Sequence, residues 1–329
     1  MPGLGTSYGR GGATTFLQDL QNADCILIEG SNFAEAHPVG FRFVVKAKER
    51  GATIIHVDPR FTRTSALADY FVPIRSGSDI AFLGGIINWV LTNERYFKEY
   101  VVSFTNASNI VNEDFKDTED LDGLFSGFHG KDSGLTQMAQ MGAANGRGTA
   151  GSYDSASWQF EKDQDGVLRR DPTLQHPRSV FQILKRHFSR YTPEMVERIC
   201  GTPQNMFLLV CETLAKNSGR DRTTAFAYAV GWTQHTVGVQ YIRTAAILQL
   251  LLGNIGRPGG GIMALRGHAD IQGATDVATL YDLLPGYIPM PSVQRDEQTL
   301  AAYLTLNTKP TGWWANFPKY VICLLYTSP

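Results

Sequence analysis

The sequence predicts an α/β domain, an αβα sandwich with a mostly parallel sheet held between two layers of helix. Three observations carry this. Short apolar runs recur early, Cys25-Ile26-Leu27-Ile28, Thr53-Ile54-Ile55-His56-Val57 and Tyr70-Phe71-Val72. Their length and composition suit strands buried on both faces. Each run ends in a polar, turn-forming cluster, and the stretch between the first two has helical periodicity. Strand, helix and strand therefore fit a βαβ unit.

The elements follow in order. Pro38 is suited to the first position of a helix, Val39, Phe43 and Ala47 recur at a helical spacing, and Gly51 is placed to end it. After the third strand, Ser78 or Asp79 caps a second apolar helix running through Ile86, Ile87 and Val90. From about Asn112 to Asp171 the chain turns polar and glycine-rich and reads as a surface insertion. It contains Gly146-Arg147-Gly148-Thr149-Ala150-Gly151, a literal G-x-G-x-x-G. No strand precedes it and no helix follows, so it reads as a chance match. A helix returns around Val180 to Phe188. Two short helices then open with Thr192-Pro193 and Thr202-Pro203, a cap followed by proline, with Gly201 between them. A strand over Thr224–Val230 leads into Gly231-Trp232-Thr233-Gln234-His235. A long helix from about Val237 to Leu252 closes at Gly253-Asn254-Ile255-Gly256.

Bulk properties exclude several classes. The chain has 329 residues, 43% of them apolar, and a net charge of −1. That is one large or two ordinary domains with a real core, and no broad basic surface for nucleic acid. Cys25, Cys200, Cys211 and Cys323 lie far apart and form no C-x-x-C pair, which excludes a self-contained cluster or zinc motif. Cys25 and Cys211 read as core thiols. No uninterrupted apolar stretch is long enough for a membrane span, and no signal peptide precedes the first element. Residues 324–329 read as a non-native tail.

In an open parallel sheet, ligands bind beyond the carboxyl ends of the strands. The three polar clusters, Gly30 to Pro38, Asp58 to Thr64 and Ile74 to Asp79, therefore share one crevice suited to a nucleotide. The runs Gly30-Ser31-Asn32-Phe33-Ala34-Glu35-Ala36-His37-Pro38, Asp58-Pro59-Arg60 and Arg75-Ser76-Gly77-Ser78-Asp79 are similar to those of the molybdopterin oxidoreductase family. So are Gly231-Trp232-Thr233-Gln234-His235, Leu251-Leu252-Gly253-Asn254-Ile255-Gly256, Leu265-Arg266-Gly267 and Ile271-Gln272-Gly273. Within that family the chain most resembles the catalytic subunits of formate dehydrogenases. The insertion, with Asp122-Gly123-Leu124-Phe125-Ser126-Gly127 and Thr173-Leu174-Gln175-His176-Pro177-Arg178, resembles the larger respiratory kind.

The resemblance implies an internal piece of a longer subunit. Residues 1–267 would be an αβα domain for molybdopterin guanine dinucleotide, and 268–320 the start of a second. The implied cofactor is a bis-molybdopterin guanine dinucleotide carrying molybdenum or tungsten. The metal's cysteine or selenocysteine ligand, its neighbouring histidine, and a 4Fe–4S cluster motif are expected upstream of Met1. The piece would then be inactive alone. Implied partners are formate, an iron–sulfur subunit and a membrane cytochrome b subunit. The implied location is periplasmic and membrane-associated through those subunits, with a cytoplasmic one as the alternative. Two positions depart from the family pattern: the loop Tyr8 to Thr15, which more often ends in Thr-Asn, and Asp270, where Asn is frequent.

Each implied role has a plainer alternative. Asp58 would accept hydrogen bonds from a ribose diol, or is a loop acid before a turn. Gly30 and Asn32 would let the backbone approach phosphates, or simply build a βα turn. Asp79 would accept two hydrogen bonds from a guanine edge, or caps a helix, or both. Arg60 and Arg75 would pair with pyrophosphate, or form surface salt bridges. Gly231, Trp232 and Gln234 resemble a pterin or nucleotide contact, though Trp232 also suits a core position. The resemblance adds Glu35, Pro59 and Gly77 as cofactor contacts. Arg266 offers a planar fork matching the formate carboxylate, or bridges two domains. His37 caps the first helix, and His268 lines the substrate entrance. Other readings are another molybdopterin enzyme of nitrate or sulfoxide reductase type, a nicotinamide-dependent dehydrogenase, and a non-catalytic guanine-nucleotide-binding domain.

Overall fold

The computed structural model describes residues 2–129 and 152–268, together with 271, 273, 283–284, 288–293, 295–308 and 313–327. The G-x-G-x-x-G match and Asp270 lie outside the described residues. The chain forms two compact units, the larger extending to Gly267 and the smaller including the chain from His268 onwards.

The larger unit is built on five parallel strands: β1 (Cys25–Glu29), β2 (Thr53–Asp58), β3 (Tyr70–Pro73), β6 (Thr224–Tyr228) and β7 (Gly261–Ala264). Their order across the sheet is β3-β2-β1-β6-β7, every pairing parallel. The chain moves outward from β1 on one side, then restarts on the other with β6. The point where the order reverses is the gap between the ends of β1 and β6. Every residue of β1 and β6 is buried, because helices cover both faces. Alternation along the strands sorts the core into two halves. Leu27, Val57, Phe226 and Tyr228 face the helices Asp79–Thr92, Gln204–Lys216 and Gly238–Leu251. Ile26, Ile28, Ala225 and Met263 face Pro38–Glu49. Gln249 Nε2 donates to the carbonyls of Thr224 and Gly261 at 3.0 and 2.7 Å, tying the long last helix to the ends of β6 and β7.

Three local expectations change. Val39 does not lie on the buried face of its helix: it is 70% exposed, while Phe41, Phe43, Val44 and Ala47 pack inward. Phe43 and Ala47 keep the expected face, which widens through Phe41 and Val44 rather than reaching back to Val39. Pro203 occupies the N-cap rather than the first helical position, and the Thr202 hydroxyl donates to the carbonyl of Pro73 at 2.6 Å. His37 stands at the N-cap of Pro38–Glu49 but makes no side-chain cap bond. Thr192 caps as expected, accepting from the Met195 N–H at 3.3 Å. Cys25 and Cys211 are buried free thiols.

The described ends of the insertion pair β4 (Phe128–His129) with β5 (Ser152–Tyr153), antiparallel. Phe115, Phe125, Tyr153 and Trp158 form an aromatic cluster above them. Arg186 pairs with Asp117 and Asp120, and Arg190 with Glu119, fastening the insertion to the Val180–Phe188 helix and the turn after it. In the smaller unit, Ile288, Tyr303, Phe317 and Val321 pack together. The helix Phe317–Thr327 runs through Leu324, so residues 324–327 of the stretch read as a non-native tail are helical. Among the described residues, no helix is long and apolar enough to cross a membrane.

Candidate functional site

A cleft of ≈ 390 Å³ opens at the carboxyl ends of β1, β2 and β6, where the strand order reverses. That volume is within the range of small-molecule sites. The loops after the three strands supply its walls: Gly30, Ser31 and Asn32, then Asp58, Pro59 and Arg60, then Ala229, Val230 and Gly231, with Asp79 and His235. A second cavity, ≈ 360 Å³, has mainly apolar walls, among them Val101, Phe181, Leu184 and Leu250, and includes no carboxylate.

The loops after β1 and β6 touch through their backbones. Gly231 N–H donates to the Gly30 carbonyl at 3.1 Å, and a Cβ on Gly231 would stand 2.5 Å from that oxygen. Gly30 has φ +65°, a left-handed conformation that favours glycine. These two glycines keep the reversal point open and its walls close.

Beside this contact lies a buried polar group. Glu29 ends β1 and is 1% exposed; Asp79 opens its helix and is 6% exposed; Trp232 is fully buried and stacks on Tyr228 at 4.7 Å between centroids. Both Glu29 carboxyl oxygens, the Trp232 indole N–H and the Ser31 hydroxyl have no hydrogen-bond partner. Burial pushes the Glu29 carboxyl well above the ordinary carboxylate range, and the neighbouring Asp79 and Asp58 carboxyls add to it. Burial also raises Asp79, against the pull of its own N–H and of His235.

His56, on β2, braces the floor. Its Nε2 lies 3.1 Å from the Ser31 carbonyl and its Nδ1 2.7 Å from Ser65 Oγ. A carbonyl only accepts, so Nε2 carries the proton and Nδ1 accepts from the Ser65 hydroxyl. Burial holds His56 below its usual pKa, in keeping with a neutral ring. Asp58 Oδ1 accepts the Arg60 N–H at 2.9 Å, which tightens the turn after β2.

Gly30, Asn32, Asp58, Pro59, Arg60, Asp79 and Gly231 thus come together in the cleft walls, while other expected residues stand outside them. Glu35 accepts from Asn32 Nδ2 and pairs with Arg63 at 3.1 Å, behind the loop after β1. Arg75 donates to the carbonyls of Arg198 and Ile199 at 2.6 and 3.1 Å, filling the acceptors at the end of the Pro193–Cys200 helix. That turns Nη1 of its guanidinium to the helix end, and Arg75 is not among the cleft walls. Gly77, at φ +87°, accepts the Tyr241 hydroxyl at 2.8 Å and backs His235. Gln234 is exposed; Gly231 and His235 are the residues of that run lining the cleft. Arg266 Nη1 donates to the Gly11 carbonyl at 3.0 Å. His268 is exposed and belongs to the smaller unit. Sequence reading passed over Glu29, Ser31, His56 and His235. Glu29 stands at the end of an apolar run and His56 within one, where a single polar residue reads as a strand edge.

Fold and cleft define a class: a doubly wound α/β domain with a cleft at the reversal of strand order, the place where such sheets hold their ligands. The sequence places it further. Residues 6–316 match the family model "Molybdopterin oxidoreductase", and the chain belongs to that family. It is 48% identical over 98% of its length to the formate dehydrogenase-O major subunit of Escherichia coli, of which it covers 30%. It is 46% identical over 96% of its length to the formate dehydrogenase subunit alpha of Megalodesulfovibrio gigas, again covering 30%. To the F420-dependent formate dehydrogenase 1 subunit alpha of Methanococcus maripaludis it is 29% identical over 88% of its length, covering 32%. The chain thus spans about a third of the relatives it matches.

The residues present fit the nucleotide end of a molybdopterin cofactor. The cleft has the size, its backbone contact leaves no room for a Cβ, and a buried unpartnered hydroxyl stands in its wall. Among the described residues no cluster of His, Cys, Asp or Glu is arranged to hold a metal ion.

Proposed function

We propose that this chain is the nucleotide-holding part of a formate dehydrogenase catalytic subunit and that its cleft binds one guanine dinucleotide arm of a bis-molybdopterin cofactor. The carrying observation is the convergence of Gly30, Asn32, Asp58, Asp79 and Gly231 on one cleft at the reversal of the sheet, in a chain of this family. Asp58 would take the ribose hydroxyls. Asp79, buried at a helix start, would take the N1–H and exocyclic amine of guanine, a pair of adjacent donors that adenine does not present. Bound, the cofactor supplies a molybdenum or tungsten centre for two-electron chemistry. Arg266, tied to Gly11 through one nitrogen, keeps further N–H groups of its fork for the formate carboxylate. Orienting formate is its proposed contribution. The reading extends to the parent enzyme's iron–sulfur and cytochrome b partners and to a periplasmic location, on the strength of the respiratory-type insertion.

Calorimetric titration of the 329-residue chain with GMP and AMP tests the base assignment. GMP is expected to bind more tightly, and Asp79→Asn to lose that preference by a factor of about 10 to 100. Equal affinity of the native chain for the two nucleotides would remove the assignment.

A further inference from the structure

The group beside the cleft has an unfinished hydrogen-bond inventory. Two carboxyls, Glu29 and Asp79, are buried side by side, and no ion pair reaches either among the described residues. Two buried carboxylates side by side without a cation are not tolerated; one of them keeps its proton. Three buried atoms here have no partner: both oxygens of Glu29 and the Trp232 indole N–H. A proton on Glu29 would let its O–H donate to an Asp79 oxygen and leave its other oxygen to the indole N–H, the two groups its carboxyl faces.

We propose that Glu29 is a positioning residue: as an uncharged acid it links Trp232 to Asp79 and holds the Asp79 carboxylate turned toward the base of the bound nucleotide. The proton stays on Glu29 because Asp79 has the better-solvated environment, lining the cleft and facing His235. Other groups acting on the pair are Asp58 from β2, Cys200 from its helix and Tyr241 from the long last helix. None of these supplies a positive charge to Glu29. Raising the pH until Glu29 ionises sets two like charges together, and Asp79 loses its donor and its aim.

This inference rests on the nucleotide reading above, and the test separates the two. GMP and AMP are titrated onto the native chain, Glu29→Gln and Asp79→Asn from about pH 6 to about pH 9. Gln keeps the shape and a donor but carries no charge, so it also sets the baseline for ionisation of guanine itself. The native chain is expected to lose about tenfold more GMP affinity than Glu29→Gln across that range. Infrared difference spectra should show a protonated carboxyl band in the native chain at neutral pH that is absent from Glu29→Gln. Parallel pH profiles, or no such band, would overturn the role of Glu29. If Asp79→Asn keeps the preference for GMP, or the native chain binds no GMP, the nucleotide reading fails. The infrared band still decides the state of Glu29 in that case. Should Glu29→Gln not fold, the native chain's band and its loss at high pH carry the test.

Discussion

Two carboxylates in this molecule live in opposite conditions. Asp171, where the insertion returns to the domain, accepts from the Thr173 N–H and hydroxyl at 2.9 and 2.6 Å and from the N–H groups of Gln175 and His176 at 2.7 and 2.6 Å. The Thr173 hydroxyl, then those backbone donors, hold its carboxyl down to about 2. Glu29 at the cleft has no such set of donors and is pushed up by burial. One region spends its polar groups on its own architecture. The other leaves its acids to share one proton, and its unpartnered Ser31 hydroxyl stands in the cleft wall, where a ligand group is expected.

Variants sharpen that contrast. The largest expected effect is Gly231→Ala, which drives a Cβ to within 2.5 Å of the Gly30 carbonyl. Overpacking of this kind costs about 1–3 kcal/mol. Nucleotide binding should vanish in calorimetry while amide exchange around Asp171 stays native. Asp171→Ala should do the converse: its four donors lose their acceptor, residues 171–178 exchange faster, and GMP affinity is unchanged. Loss of GMP binding in that variant would break the division into two regions.

The two acids should also bend stability with pH in opposite directions. The folded pKa of Asp171 is depressed from 3.8 to about 2, so its contribution is present above 3.8 and disappears as pH falls toward 2. The folded pKa of Glu29 is raised from 4.5, so its contribution is present below 4.5 and is lost as pH rises. Glu29→Gln should therefore melt a few degrees higher than the native chain at neutral pH and lose that gain at or below pH 4.5. The smallest effect is Arg266→Gln, which gives up the bond to the Gly11 carbonyl and should cost about 1 kcal/mol in denaturant melts.

Much of this was legible in the sequence because strands buried on both faces read as apolar runs whatever surrounds them. β1, β2, β3 and β6 were readable that way, as were the glycine and aspartate turns that follow β1 and β2. What stayed hidden depends on partners far along the chain. Arg75 looks like a phosphate ligand until the end of the Pro193–Cys200 helix arrives beside it. Glu29 looks like an exposed strand end until Trp232, some two hundred residues later, covers it. The buried face of Pro38–Glu49 keeps Phe43 and Ala47 but gains Phe41 and Val44 in place of Val39, which only the packing against the sheet decides.

The insertion leaves and returns at one spot. Val180 N–H donates to the Asn109 carbonyl at 3.0 Å, and Phe181 N–H to that of Ala107 at 2.9 Å. Both edges of the excursion are thus sewn to each other before the chain resumes its path. A segment hung on so narrow a base behaves as an appendage with a stalk. Its length is almost free of thermodynamic consequence, since each doubling of a loop costs only about 0.6 kcal/mol. Growth, shrinkage or exchange there can reshape the outer surface while the crevice at the sheet's reversal keeps its form.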